Sequence, residues 1–234
     1  MKFVQLAKTL KEEGLAPVYL IEGEEAYFRD HAVESIRAAC CLSNPALNDA
    51  RCEGEQLRGE GLAALRRALE TLPFFDEKRI VRACEFYPTE REWETYLRPY
   101  AENPSPTTVF LIVNAGKKAN AADLRKKKGV TYVDCSRESE ETLSRWLFGV
   151  ARRQGLAMDA DAASLMVRYC AQDAARMKLE TEKLAAILGG NARVDRAAVE
   201  AYVAKDTEYK IYELTQAASR RNFALFSEIL SDML

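Results

Sequence analysis

The sequence predicts an α/β domain on a mainly parallel sheet, followed by a small all-α domain. Two observations carry this expectation. Up to about residue 137, short apolar runs alternate with amphipathic stretches. Such alternation implies βαβ units, because parallel neighbours need crossover helices. From about Glu138 the periodicity is helical only. The chain has 234 residues, 48% hydrophobic and 30% charged, an ordinary globular composition able to bury a core.

The elements follow in order. Pro17-Val18-Tyr19-Leu20-Ile21 is an apolar run closed by Glu22-Gly23, and predicts a strand. A helix is expected from about Glu24 to Cys40, with Ala32, Ile36 and Ala39 on one stripe. Asp49 to Cys52 reads as a short strand, and Leu62, Leu65 and Leu69 mark a helix stopping near Pro73. Arg79 to Phe86 is the next strand. Thr89-Glu90-Arg91-Glu92 is a capping-box pattern, in which Thr89 and Glu92 each accept from the other's backbone amide. Trp93, Tyr96, Leu97 and Tyr100 then share a helix face, and Asn103-Pro104-Ser105-Pro106 is a turn. Thr108 to Val113 is continuously apolar, as a strand covered on both faces should be. A short helix is expected at Ala119 to Lys127, and a last strand at Val130 to Val133.

Beyond Glu138, Leu143, Trp146, Leu147 and Val150 form one stripe ending near Gly155. Asp159, Asp173 and Asp195 stand where N-caps of three further helices are expected, the second of them ending at Gly189-Gly190. Glu208 to Leu234 reads as two helices split around Arg221-Asn222. Their apolar residues (Phe223, Leu225, Phe226, Ile229, Leu230) call for a packing partner, and a further domain is expected after them.

Much chemistry is disfavoured. The N-terminus, Met1 to Lys8, is too polar for a secretory signal. The run Val109 to Val113 falls far short of the ~20 residues that span a bilayer. A soluble, cytoplasmic protein is expected. Six cysteines include no Cys-x-x-Cys, and His31 is the only histidine, so reduced thiols are expected rather than a zinc site. His31 reads as a solvated surface residue. The net charge of -2 gives no basic footprint, leaving room only for a local patch. Lys117-Lys118 and Arg125 to Lys128 form such a patch; it reads as a phosphate contact or as an exposed helix end whose cations complement the dipole.

The loop after the first strand, Glu22-Gly23-Glu24-Glu25-Ala26-Tyr27, is where nucleotide folds hold phosphates. A P-loop needs glycines, a lysine and a Ser or Thr. This loop has one glycine, no lysine and three carboxylates, so it predicts a nucleotide-type fold with a degenerate site. Leu72-Pro73-Phe74-Phe75 is the conspicuous connector, followed by Asp76-Glu77-Lys78-Arg79. Two readings of its rings stand side by side: an anchor for another protein's pocket, or a cover for the end of the core.

These segments together resemble the delta subunit of bacterial DNA polymerase III, a component of the sliding-clamp loader. The resemblance runs through Pro17 to Glu25, Leu72 to Arg79, Val109 to Val113, Trp146 with Arg152 to Leu156, and Leu179 to Leu184. Their order and spacing carry it, rather than any one motif. It implies an AAA+-like, P-loop NTPase-type domain at residues 1–137 that binds the clamp without a functional ATP site. A helical lid would follow at 138–206, and the start of an incomplete helical collar at 207–234. It implies no activity of the chain's own and no cofactor, within a holoenzyme that is a DNA-directed DNA polymerase, a nucleotidyltransferase.

In that family, apolar side chains at the tip after a first-domain helix enter a pocket on the clamp and favour an opened ring. The matching positions are Leu72, Phe74 and Phe75. Implied partners are the sliding clamp (beta subunit) and the other loader subunits, namely the ATPase subunits and delta prime. Primed DNA is met only through the assembled complex, and no membrane is involved. Most relatives carry a glycine before the position of Asp173, where this chain has Ala171-Gln172. The rival readings are an NTPase with a degenerate loop and a DNA-binding module using Lys117 to Lys128.

Overall fold

The computed structural model describes residues 1–189 and 191–233. Gly190 and Leu234, both named above, lie outside the described residues. The chain divides into two compact units, Met1–Arg137 and Glu138–Leu234.

In the first unit five strands form one sheet: β1 (Val18–Glu22), β2 (Asp49–Glu53), β3 (Arg79–Cys84), β4 (Thr108–Asn114) and β5 (Thr131–Asp134). Their order is β2-β3-β4-β1-β5, and every pairing is parallel. The registers include Asp49↔Ile80, Ile80↔Val109, Val18↔Phe110 and Leu20↔Tyr132. The α/β, mainly parallel architecture expected from the alternation is therefore present. β1 and β4 are buried along nearly their whole length, as strands covered on both faces must be.

One face of the sheet packs against α4 (Glu60–Glu70). There Val18, Leu20, Val81, Phe110 and Ile112 meet Leu62, Leu65 and Leu69. The alternate residues Tyr19, Ile21, Ile80 and Leu111 are equally buried, and side-chain alternation sends them to the other face. Contacts with the sheet there come from α1 (Phe3–Glu12) and α2 (Ala26–Cys40), joined by the Phe3–Phe28 ring stack at 4.7 Å.

The capping box at Thr89 forms as expected: Glu92 N–H donates to Thr89 Oγ1 at 3.3 Å, and Thr89 N–H to Glu92 Oε2 at 2.7 Å. It starts α5 (Glu90–Glu92), which runs through a π-helical turn, Trp93–Leu97, into α6 (Arg98–Glu102). Pro99 accounts for the turn. Its ring clashes with a normal helical carbonyl, and the neighbouring Arg98 amide reaches back to Trp93 O instead.

Two expectations in this unit fail. Ala119 to Lys127 is not a helix but turns ending in one 3-10 turn, Leu124–Lys126. Asn120 sits at φ 67°, the Ala122 amide donates to Pro88 O at 2.8 Å, and Leu124 is buried. The segment is thus tied down by tertiary contacts, and its cations have no helix dipole to complement. His31 is half-buried, its ring 3.9 Å from that of Tyr27, rather than a solvated surface residue.

The second unit holds α7 (Glu140–Arg153), α8 (Ala160–Tyr169), α9 (Ala174–Leu188), α10 (Arg196–Tyr202), α11 (Thr207–Ser219) and α12 (Phe223–Met233). It is not helical only. The two-residue strands β6 (Ala157–Met158) and β7 (Arg193–Val194) pair in parallel. Asp173 and Asp195 accept from the amides of Arg176 and Ala198, as caps should. Asp159 stands at the N-cap of α8 but its side chain makes no capping bond; its carboxylate takes Arg193 Nε at 2.9 Å and so braces the small strand pair.

A candidate protein-docking tip and a closed nucleotide crevice

Topology sorts the two sequence-derived sites to opposite ends of the first unit's sheet. The Glu22 to Tyr27 loop follows β1, so it lies at the carboxyl edge of the strands. The Thr71 to Lys78 loop precedes β3, so it lies at the amino edge.

At the amino edge Leu72, Phe74 and Phe75 are 74%, 54% and 87% exposed. The rings of Phe74 and Phe75 meet edge to face, with centroids 4.4 Å apart. These three residues form one apolar projection; neither ring covers the core. Leu47, on α3 (Pro45–Asn48), is another exposed apolar side chain at this edge, at 57%. The sequence reading missed it, although Pro45-Ala46-Leu47 is the one apolar run in its polar connector.

The loop is held by side chains rather than by regular structure. Thr71 Oγ1 donates to Arg67 O at 2.7 Å, and Arg79 Nη1 donates to Thr71 O at 3.3 Å. Asn48, 1% exposed, accepts from the Phe74 amide at 2.7 Å and donates to the Phe74 carbonyl at 2.8 Å. Asn48 Nδ2 also reaches Asp76 Oδ2 at 2.6 Å, and Asp76 accepts from the amides of Ser43 and Asn44 at 2.9 and 3.0 Å. Partial desolvation pushes the Asp76 carboxyl up, but the amides of Asn44 and Ser43 and the Asn48 side chain outweigh it, leaving the group below its ordinary value. Phe75 sits at φ 57°, a left-handed conformation uncommon for a bulky residue.

At the carboxyl edge two amides of the loop are already engaged. Gly23 N–H donates to Asn114 O at 3.2 Å and Glu25 N–H to Cys135 O at 3.0 Å, while Arg29 donates to the Gly23 carbonyl. A Cβ on Gly23 would lie 2.0 Å from the Cys135 carbonyl carbon, so this glycine serves close packing against the end of β5. A cavity of about 180 Å³ remains, lined by Glu22, Tyr87, Asn114, Lys117, Lys118 and Asp123 among others. That is well under the ~300–1,000 Å³ of ordinary ligand sites. Burial raises the pKa of Glu22 against the opposing charge of Arg125.

Half of the basic cluster is paired with acids. Arg125 and Lys126 lie 3.2 and 3.3 Å from Asp123, and Lys127 pairs with Glu90. Lys118 sits over the Tyr87 ring at 4.5 Å. The cysteines are free thiols, with Cys40, Cys135 and Cys170 buried and Cys41 exposed. No metal-ligand cluster occurs among the described residues, and no described helix is long and apolar enough to cross a membrane.

No family model matches the chain. DNA polymerase III subunit delta of Bacillus subtilis (strain 168) is 24% identical over 241 aligned residues, covering 97% of this chain and 68% of the relative. Among solved structures, the Bacillus subtilis DNA clamp loader delta protein superposes with a TM-score of 0.76 at 23% identity, over 99% of this chain and 71% of the other. The Thermotoga maritima RuvB Holliday junction branch migration motor matches more distantly, with a TM-score of 0.52 at 13% identity, over 97% of this chain and 79% of the other. The resemblance drawn from the sequence segments is thus borne out, and so is the fold class.

Proposed function

We propose that this chain is a clamp-loader delta subunit: a non-catalytic component of a bacterial DNA polymerase III holoenzyme that binds a ring-shaped sliding clamp and favours its opened state. The observation that carries the reading is the exposed projection of Leu72, Phe74 and Phe75, on a fold shared with a clamp-loader delta protein. Burying one such ring in a partner's pocket contributes ~1.5–3 kcal/mol, and truncating a central aromatic anchor costs about 2 kcal/mol or more. Opening follows only if the tip binds the opened ring better than the closed one. ATP hydrolysis belongs to partner ATPase subunits, and delta prime and primed DNA are met in the assembled complex, in the cytoplasm.

On this reading residues 1–137 are the clamp-binding AAA+-like domain, 138–206 the lid and 207–234 the start of a collar. The engaged amides of Gly23 and Glu25, in a loop with no lysine, support a chain without its own nucleotide chemistry. The pairing of Arg125, Lys126 and Lys127 with acids weakens the case for direct DNA binding.

The test is surface plasmon resonance against the clamp of the same organism, with Phe74→Ala and Phe75→Ala combined. Binding is expected to fall at least a hundredfold while the far-ultraviolet circular dichroism stays that of the parent. Undiminished binding would remove the tip from the mechanism.

A further inference from the structure

The docking tip is an irregular loop, and irregular loops ordinarily sample many conformations. This one is bound to a different part of the chain by two side chains that the proposed recognition does not itself use. Asn48 lies 26 residues before Phe74 in sequence, yet its buried amide grips both backbone polar groups of Phe74. The contact is possible because β2 and β3 are parallel neighbours, so the segments that enter them meet at one edge. Asp76 closes the loop from the other side, fastening it to the Ser43 and Asn44 amides and to Asn48. Every hydrogen bond in the set runs between the tip loop and the segment Ser43 to Asn48. The three bonds to the Asp76 carboxylate are charge-assisted.

We infer that Asn48 and Asp76 are positioning residues, a latch that holds Phe74 and Phe75 projecting in one conformation before any partner arrives. This deepens the proposed function and rests on it for the identity of the partner. Ordering a loop on binding lowers apparent affinity by the fraction of molecules already in the competent conformation, and a loop fixed beforehand avoids that loss. The left-handed backbone at Phe75 agrees with such a role, since a bulky residue keeps that conformation only where its surroundings impose it.

The experiment uses the whole chain and three variants: Asp76→Ala, Asn48→Ala and the Phe74→Ala/Phe75→Ala pair. Order at the tip is read from amide hydrogen exchange and nitrogen-15 relaxation of residues 72–77, and affinity from titration with the sliding clamp. Asp76→Ala removes three accepted hydrogen bonds from a half-buried carboxylate and is expected to lower the melting temperature by a few degrees while the far-ultraviolet circular dichroism stays that of the parent. It should raise the exchange rate at Phe74 and Phe75 at least tenfold and weaken clamp binding about tenfold, as a drop in the competent fraction to about one tenth requires. Asn48→Ala should do the same or more. Because Asn48 is buried, Asp76→Ala decides the matter if Asn48→Ala unfolds.

Asp76→Asn keeps one acceptor oxygen and should restore part of the affinity. On the Phe74→Ala/Phe75→Ala background, Asp76→Ala should cause no further loss, which separates positioning from a direct contact. Tip residues as ordered in Asp76→Ala as in the parent would overturn the latch whatever the partner proves to be. Loosened tip residues with unchanged clamp affinity would overturn its role in docking. Undiminished clamp binding by the Phe74→Ala/Phe75→Ala pair would instead sink the proposed function, leaving the latch to be judged on exchange alone.

Discussion

Phe75 combines two features that usually exclude one another: a large apolar ring left 87% exposed and a backbone at φ 57°. Either feature costs stability, the second by about 1–2 kcal/mol for an L-residue in the left-handed region. Strain of this kind persists where neighbours over-determine it, and here five hydrogen bonds tie the residues on either side of Phe75 down: Asn48 holds the Phe74 backbone, and Asp76 holds Asn48 and the Ser43 and Asn44 amides. Phe75→Gly therefore separates stability from docking. Glycine accepts the conformation freely, so thermal denaturation should show stability raised by about 0.5–1 kcal/mol. Clamp titration should show affinity reduced at least tenfold, because the ring is gone. A destabilised variant would mean that the ring packs against the fold after all. The sequence posed this question without answering it, since two phenylalanines beside a proline suit a core cover as well as an anchor. Asn48 was illegible for a different reason: its partner is 26 residues away and is reached only through the order of the strands.

Elements with their own internal logic were legible. The capping box at Thr89 needs only four residues, and it forms as written. The stripe Leu62-Leu65-Leu69 is buried as its spacing demands, and so are Leu143, Leu147 and Val150 of the later stripe, with Trp146 half-buried. Elements whose conformation is set from outside were not. Ala119 to Lys127 has good helix formers, but Asn120 turns left-handed and Pro88 takes the Ala122 amide. β6 and β7 are two residues each, too short to carry any period. The connection from α8 to α9 shows a conflict that remains in the chain. Ala171 and Gln172 stand at φ 50° and 61°, and the Gln172 amide closes the helix end on Val167 O at 2.9 Å. This is a Schellman-like end, which favours glycine. Ala171→Gly combined with Gln172→Gly should therefore stabilise the protein by about 1 kcal/mol, seen as a rise of about 2–4 °C in melting temperature. A fall would show that the two side chains contribute packing that outweighs their backbone strain.

The first unit's parallel sheet gives the molecule two distinct ends, and the same device closes both. At the amino edge the Asn48 side chain grips the backbone of Phe74; at the carboxyl edge the buried Asn114 side chain accepts from Phe86 N–H and donates to Phe86 O, each at 3.0 Å. The outcomes differ because of what each loop presents. The amino-edge loop turns apolar rings outward. The carboxyl-edge loop turns its amides inward, to Asn114 O and Cys135 O. The sequence revealed the missing lysine and the surplus carboxylates at that edge, but not that the Gly23 and Glu25 amides are already engaged. That difference makes a testable consequence. If repulsion by Glu24 and Glu25 were the whole obstruction, Glu24→Lys combined with Glu25→Gly would open a phosphate site. With the Gly23 and Glu25 amides engaged and Gly23 so close to the chain that an added Cβ would lie 2.0 Å from the Cys135 carbonyl carbon, charge alone does not clear the space. Calorimetric titration of this double variant with magnesium-ATP should show no binding at millimolar nucleotide. Its clamp affinity should stay within about twofold of the parent, since sites this far apart with no shared partners act nearly independently. Heat of binding at micromolar nucleotide would mean that the loop retains a latent cradle and that the two ends have not been divided between projection and closure.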